Sequence, residues 1–95
     1  ARTADATDWG RIAAIYGVLA RVSPSPVVEL NRAVAVGMAE GPEAGLALAD
    51  PLREEPALSG YHLLPAARAD MLARAGRTAE ARAELERAAS LAQTE

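Results

Sequence analysis

The chain has no cysteine, no lysine and no phenylalanine, and its aromatic residues are Trp9, Tyr16 and Tyr61. Without cysteine, disulfides and thiolate metal sites are excluded. His62 is the single histidine, so no histidine-based metal site or nucleophile–histidine triad can be assembled here. Ser23, Ser25, Ser59 and Ser90 have no base near them in sequence and read as caps or turn residues. Glycine-rich phosphate loops are absent. The sequence therefore points to no catalytic residues, no metal and no cofactor, and to a chain that is not an enzyme. Arg2, Asp5, Asp8 and Arg11 near the start read as a solvated terminus rather than an acid/base pair.

Charge of one sign is also missing. Ten arginines are interspersed among thirteen carboxylates for a net charge of −3, and no basic run forms a stripe that follows a phosphate backbone. Direct contact with nucleic acid is not expected. No apolar run approaches the roughly 20 residues that span a bilayer, because Arg, Glu and Pro interrupt every candidate. A signal-peptide pattern is lacking too, so a cytoplasmic location is expected by default. The first residue is Ala1, which suggests a segment of something longer.

What is present is alanine, leucine and valine. Small side chains let helix backbones approach closely, and alanine has the highest helix propensity; a sheet core would want more β-branched and aromatic residues. The expected class is all-α, and 95 residues suffice for one domain, residues 1–95, with one modest core.

Proline and glycine divide the chain into about five helices. The first is expected over Asp8–Arg21, capped by Thr7 or Asp8, with Trp9, Ile12, Ala13, Tyr16 and Leu19 as one buried stripe. Ser23-Pro24-Ser25-Pro26 must end it, and Ser25 is placed to cap a second helix over Pro26–Glu40. Val27, Val28, Leu30, Ala33, Val34, Ala35, Val36 and Met38 surround most of that second helix, which is therefore expected between neighbours. Gly41 ends it, and Pro42 opens a third helix to Asp50. An acidic link between Pro51 and Pro56 leaves room for one extra turn and ends at Ser59-Gly60. The fourth helix must begin near His62, because Pro65 is tolerated only where its amide would lack a partner. Gly76 ends it, and Thr78 is placed to cap a fifth helix that buries Ala81, Leu85, Ala88 and Leu91 or Ala92 and leaves Glu80, Glu84, Glu86 and Arg87 in water.

The two middle units repeat. "NRAVAVGMAEGPEAGLAL" and "ARADMLARAGRTAEARAEL" share an Arg-Ala pair, an apolar helix, a glycine stop and an Ala/Glu-rich second helix. Arg32 and Arg68 are 36 residues apart, and Gly41 and Gly76 are 35 apart. A helix-turn-helix period of about 34 is the tetratricopeptide signature, and Ala69, Leu72, Gly76, Ala81, Leu85 and Ala88 fall on its positions. The first unit departs from it: its turn is a residue out of step, and Gly45 or Leu46 falls where the pattern wants alanine. The expected packing is a right-handed stack of antiparallel hairpins with a concave, partner-binding face.

Across "TDWGRIAAIYGVLARVSPSPVVELNRAVAV", "GPEAGLAL" and "GYHLLPAARADMLARAGRTAEARAEL" the chain resembles the C-terminal, tetratricopeptide-like extension of a group of bacterial extracytoplasmic-function (ECF) sigma factors. The resemblance covers Asp8 to Ala92, and three separated motifs in order are more specific than one generic repeat. It implies regulation of transcription initiation through protein contacts, with sigma domains of the same parent chain, with RNA polymerase, or with both. No basic recognition helix is present to touch a promoter. The family's chain continues past the fifth helix, so the face of Leu85, Ala88 and Leu91 is expected to be partly uncovered and to invite a homodimer. The rival readings are a free-standing repeat adaptor and a helical accessory domain of an enzyme.

Asn31, Arg32, His62 and Arg68 are the candidate groove residues. Arg32 and Arg68 lie on helices otherwise devoted to packing, where a guanidinium must reach the rim or find a partner. They are placed either to grip a partner's carboxylate with paired hydrogen bonds, or to bond interhelical carbonyls or pair with Glu29, Glu43 or Asp70. His62 fits a structural role at the start of the fourth helix, and Trp9 and Tyr16 fit core packing of the first.

Overall fold

The computed structural model describes residues 7–94, and Arg2 and Asp5 lie outside the described residues. Five α-helices follow one another: α1 (Trp9–Val22), α2 (Pro26–Glu40), α3 (Pro42–Ala49), α4 (Leu63–Arg74) and α5 (Thr78–Thr94). No strand occurs among the described residues. The fold is all-α.

Local chemistry sets the boundaries. Asp8 caps α1 by accepting a hydrogen bond from the Arg11 amide at 3.0 Å, satisfying one of the first-turn donors that have no helical partner. Ser25 occupies the cap position of α2 but makes no side-chain capping bond there; Pro26 at the first helical position removes one of the donors in need of a cap. Pro65 is the third residue of α4, where a missing amide costs nothing. Thr78 begins α5 rather than capping it, and the Arg77 carbonyl accepts from the Ala81 amide at 3.0 Å. Gly41 and Gly76 have φ of 114° and 81°, which L side chains rarely adopt.

The link after α3 holds two 3₁₀ turns, Asp50–Glu54 and Pro56–Leu58, where one extra turn was expected. Glu55 caps the second by accepting from the Ala57 amide at 3.4 Å. Leu58 then tucks under α2 and joins Leu30 and Leu64 in a buried cluster flanked by Leu52, Tyr61 and Ala67. The larger cluster holds Ala33, Leu46, Ala49, Met71, Leu72 and Ala81.

α2 and α3 form one antiparallel hairpin and α4 and α5 another, with α3 resting on α4 and α1 on α2. As its all-round apolar surface requires, α2 touches α1, α3 and α4. Two expected stripes differ from the structure. In α1, Trp9, Ile12, Ala13 and Tyr16 are only half-buried and Leu19 is exposed, because α2 is the main neighbour of α1. In α5 the inward stripe runs through Ala81, Glu84, Ala88 and Leu91, while Leu85 is 58% exposed and Ala92 is exposed. Glu84 takes the inward place because a buried guanidinium on α4 faces it. Of the three residues expected to form an open α5 face, only Leu85 is exposed: Ala88 is buried and Leu91 half-buried.

Candidate docking groove and buried ion network

Two chemically different features stand out. The first is a hollow of about 330 Å³ between α2 and α4, lined by Leu30, Asn31, Val34, Tyr61, Leu63, Ala66 and Ala67. α2 contributes Leu30, Asn31 and Val34, which share one side of the helix at i, i+1 and i+4. Val27 and Leu63 are exposed large apolar side chains, and Asn31, also exposed, supplies an amide that can both donate and accept. The lining is mostly apolar, with the Asn31 amide and the Tyr61 hydroxyl as its polar groups.

The second feature is Arg68, the one buried charged residue among those described, at 5% exposure. Its Nε and Nη2 both donate to Oδ1 of Asp50, at 3.1 and 3.0 Å. Its Nη1 lies 2.7 Å from Oε2 of Glu84. The guanidinium thus ties the end of α3 to α4 and α5. A buried cation is tolerable only with such partners, and no buried side-chain nitrogen or oxygen among the described residues is left unpartnered. Nearby, Arg77 binds Glu80 through two hydrogen bonds, at 3.2 and 2.8 Å, and reaches Glu43 of α3 at 3.2 Å. The hydrogen bond from Arg77 holds the Glu80 carboxyl below the usual carboxylate range, and the same bond raises the Arg77 guanidinium above its ordinary value.

The four candidate groove residues are not gathered in one place. Asn31 lines the α2/α4 hollow, and Arg32 lines a separate one between α1 and α2 with Gly17, Val18, Arg21 and Glu29. Arg32 also pairs with Glu29 at 3.7 Å, as its sequence neighbourhood suggested. His62 occupies the cap position of α4, half-buried, with its ring centroid 6.3 Å from that of Tyr61. Arg68 pairs with Asp50 and Glu84 rather than Asp70, which binds Arg74 at 2.9 Å.

Sequence reasoning missed Glu84 as a partner, yet a signal was present. Arg68 and Glu84 stand eight residues before and after Gly76, and residues equidistant from the turn of an antiparallel hairpin face each other. Asp50 had no comparable signal, since its position depends on how the link after α3 folds.

No helix among the described residues is long and apolar enough to cross a membrane, and no group of three or more His, Asp or Glu side chains among them is placed to hold a metal ion. No family model matches the chain, and no solved structure matches it. The chain is 51% identical over 86 residues to an uncharacterized protein of Rhizobium meliloti (strain 1021). The match covers 90% of this chain and 20% of that protein, so the chain spans about one fifth of the length of the curated relative it matches.

Proposed function

We propose that this chain is a protein-binding, tetratricopeptide-like domain that regulates an ECF sigma factor in transcription initiation, acting in the cytoplasm through contacts with sigma domains of the same parent chain, with RNA polymerase, or with both. The observation that carries the binding role is the α2/α4 hollow. The first helices of successive hairpins meet there, as on the concave face of a helical repeat, and they present Val34, Leu63 and Tyr61 around Asn31. The sigma-factor assignment rests on the resemblance of the three ordered motifs between Asp8 and Ala92. A relative five times the length of the matched stretch is in keeping with a segment that serves a larger protein.

The test is promoter-specific transcription by the full-length parent with purified core polymerase, with and without this segment, together with Leu63→Asp in the intact protein. Leu63 is 46% exposed, so its replacement leaves the fold standing while placing a charge in the hollow. Altered transcription in both the deletion and the Leu63→Asp protein supports the reading. A parent that never binds core polymerase removes the sigma-factor part, and normal transcription by Leu63→Asp removes the hollow as the contact surface.

A further inference from the structure

The link after α3 and the second half of α5 meet over a small recess at the start of α4. Arg53 of the first 3₁₀ turn, Ser59 just after the second, and Glu84 and Arg87 of α5 line it, together with Leu64 and Pro65 of α4. Arg53, Ser59 and Arg87 are exposed, and among the described residues none of their side chains makes a hydrogen bond or ion pair. Glu84, the one carboxylate in the lining, is already taken by Arg68 at 2.7 Å. Two guanidiniums from different elements and a free hydroxyl are thus left over at one recess, a donor set that suits a dianion. The first turn of α4 adds no acidic residue of its own, so the positive end of that helix favours an anion here as well.

The size of the recess says what carries the anion. At about 10 Å³ it has room for a single water molecule, and a phosphorylated metabolite has nowhere to lodge. A phosphoryl group on the Ser59 oxygen needs no such room, because its tether holds it at the mouth at high effective concentration. The hydroxyl is also within reach of a modifying enzyme, since Ser59 and Gly60 are both exposed in a segment outside the α-helices.

We propose that Ser59 is a phosphorylation site and that Arg53 and Arg87 bind the phosphoserine dianion, tying the link to α5. In the modification a nucleoside triphosphate gives its γ-phosphoryl group to Ser59. The Oγ–P bond forms, the bond from the γ-phosphorus to the bridging oxygen breaks, the diphosphate leaves, and the hydroxyl proton passes to the base of the modifying kinase. Each guanidinium then gains a charge-assisted pair with phosphate oxygens, and the link that leads on to Tyr61 of the α2/α4 hollow is fastened to α5. The proposal is independent of the sigma-factor assignment and of the hollow as a docking surface.

The test installs phosphoserine at position 59 of the protein at its native length by genetic-code expansion. Its second ionisation, read by phosphorus NMR, is expected about 1 pH unit below the value of about 6 for an exposed phosphoserine. Amide exchange across residues 53–59 is expected to slow about tenfold. Arg53→Gln combined with Arg87→Gln replaces two exposed side chains, so it is expected to leave the fold intact and to abolish both effects. An ionisation at the exposed value with unchanged exchange overturns the proposal, as do shifts that survive the loss of both arginines. Inorganic phosphate is the comparison probe: saturable binding to the unmodified protein, with the phosphoserine unshifted, overturns it in favour of a free anion. Tandem mass spectrometry of the protein isolated from its own cells, in growth and in starvation, is expected to find the phosphoryl group on Ser59. A Ser59 unmodified throughout overturns the modification.

Discussion

The two hairpins solve one problem, bringing antiparallel helices into close contact, by different chemistry. In α2–α3 the contact runs through glycine. A methyl group placed on Gly45 would lie 2.8 Å from the Ala33 carbonyl oxygen, 2.8 Å from the Gly37 Cα and 2.5 Å from the Met71 sulfur, so two helix backbones nearly touch and Met71 of α4 closes the gap. In α4–α5 the residue 36 positions later is Ala81, 4% exposed, so a methyl group is accommodated where the first hairpin has none. The second hairpin carries the Arg68–Glu84 pair between its helices, whereas the positions 36 residues earlier in the first hold Arg32 and Leu48. Backbone proximity holds one unit and a buried ion network the other, although the same repeat pattern underlies both.

Breaking the first contact should produce the largest effect. Gly45→Ala forces the helices apart against backbone atoms, and about 3 kcal/mol of stability should be lost, at the upper end for overpacking. That corresponds to a fall in Tm of about 15 °C, readable by circular dichroism. Gly37→Ala is its control, because its closest neighbours are the Met71 sulfur and Cγ at 3.0 and 3.5 Å, the far end of a flexible side chain. The gain of about 1 kcal/mol in helix propensity should offset that crowding, leaving Tm close to wild type. Equal losses in the two variants would deny that Gly45 marks the tight point.

Arg68→Leu comes next. It strands Glu84, whose side chain is 14% exposed, and releases Asp50, which is 48% exposed and can turn to water. The expected cost is about 2 kcal/mol, below that of a fully buried pair. Adding Glu84→Leu should restore part of it, measured as a coupling energy in a double-mutant cycle. Unchanged melting with lost transcriptional regulation would instead make Arg68 a contact residue. Ala81→Gly, which gives the second hairpin the small residue of the first, should cost about 1 kcal/mol, since α4 and α5 keep their spacing and only helix propensity and a methyl contact are lost.

Glu80→Gln should have the smallest effect. The carboxyl of Glu80 lies below its ordinary range in the folded protein, so its contribution is present above the unfolded carboxylate value, about 4.3, and is lost as pH falls through the folded value. Urea midpoints should therefore match wild type in acid, where both proteins lack that contribution, and differ slightly at neutral pH. A difference that grows in acid would contradict the sign.

Helix boundaries were legible because proline and glycine act locally: Pro26, Gly41, Pro42 and Gly76 fixed four helix ends within about one residue of where they lie. Sidedness was less legible. Hydrophobicity alone puts Leu85 inward, and only the demand of a buried guanidinium across the hairpin turns Glu84 in instead. The placement of Gly45 at the closest helix contact was half visible, since the repeat pattern asks for a small residue there but not for one smaller than alanine. Arg32 and Arg68 hold equivalent repeat positions, yet Arg32 faces the α1/α2 hollow and Arg68 a network built by the link after α3. Repeat position fixes where a side chain starts, and non-repeating segments decide what it meets.

The turn inside the first hairpin and the link between the hairpins also differ in how they can be lengthened. α2 and α3 are joined by the single residue Gly41, which reverses the chain with no slack, whereas the passage from α3 to α4 runs through two 3₁₀ turns and an exposed Ser59-Gly60 pair. Over evolutionary time, insertions and deletions should gather at Ser59-Gly60 and be purged at Gly41, which makes the former the place to splice in a reporter.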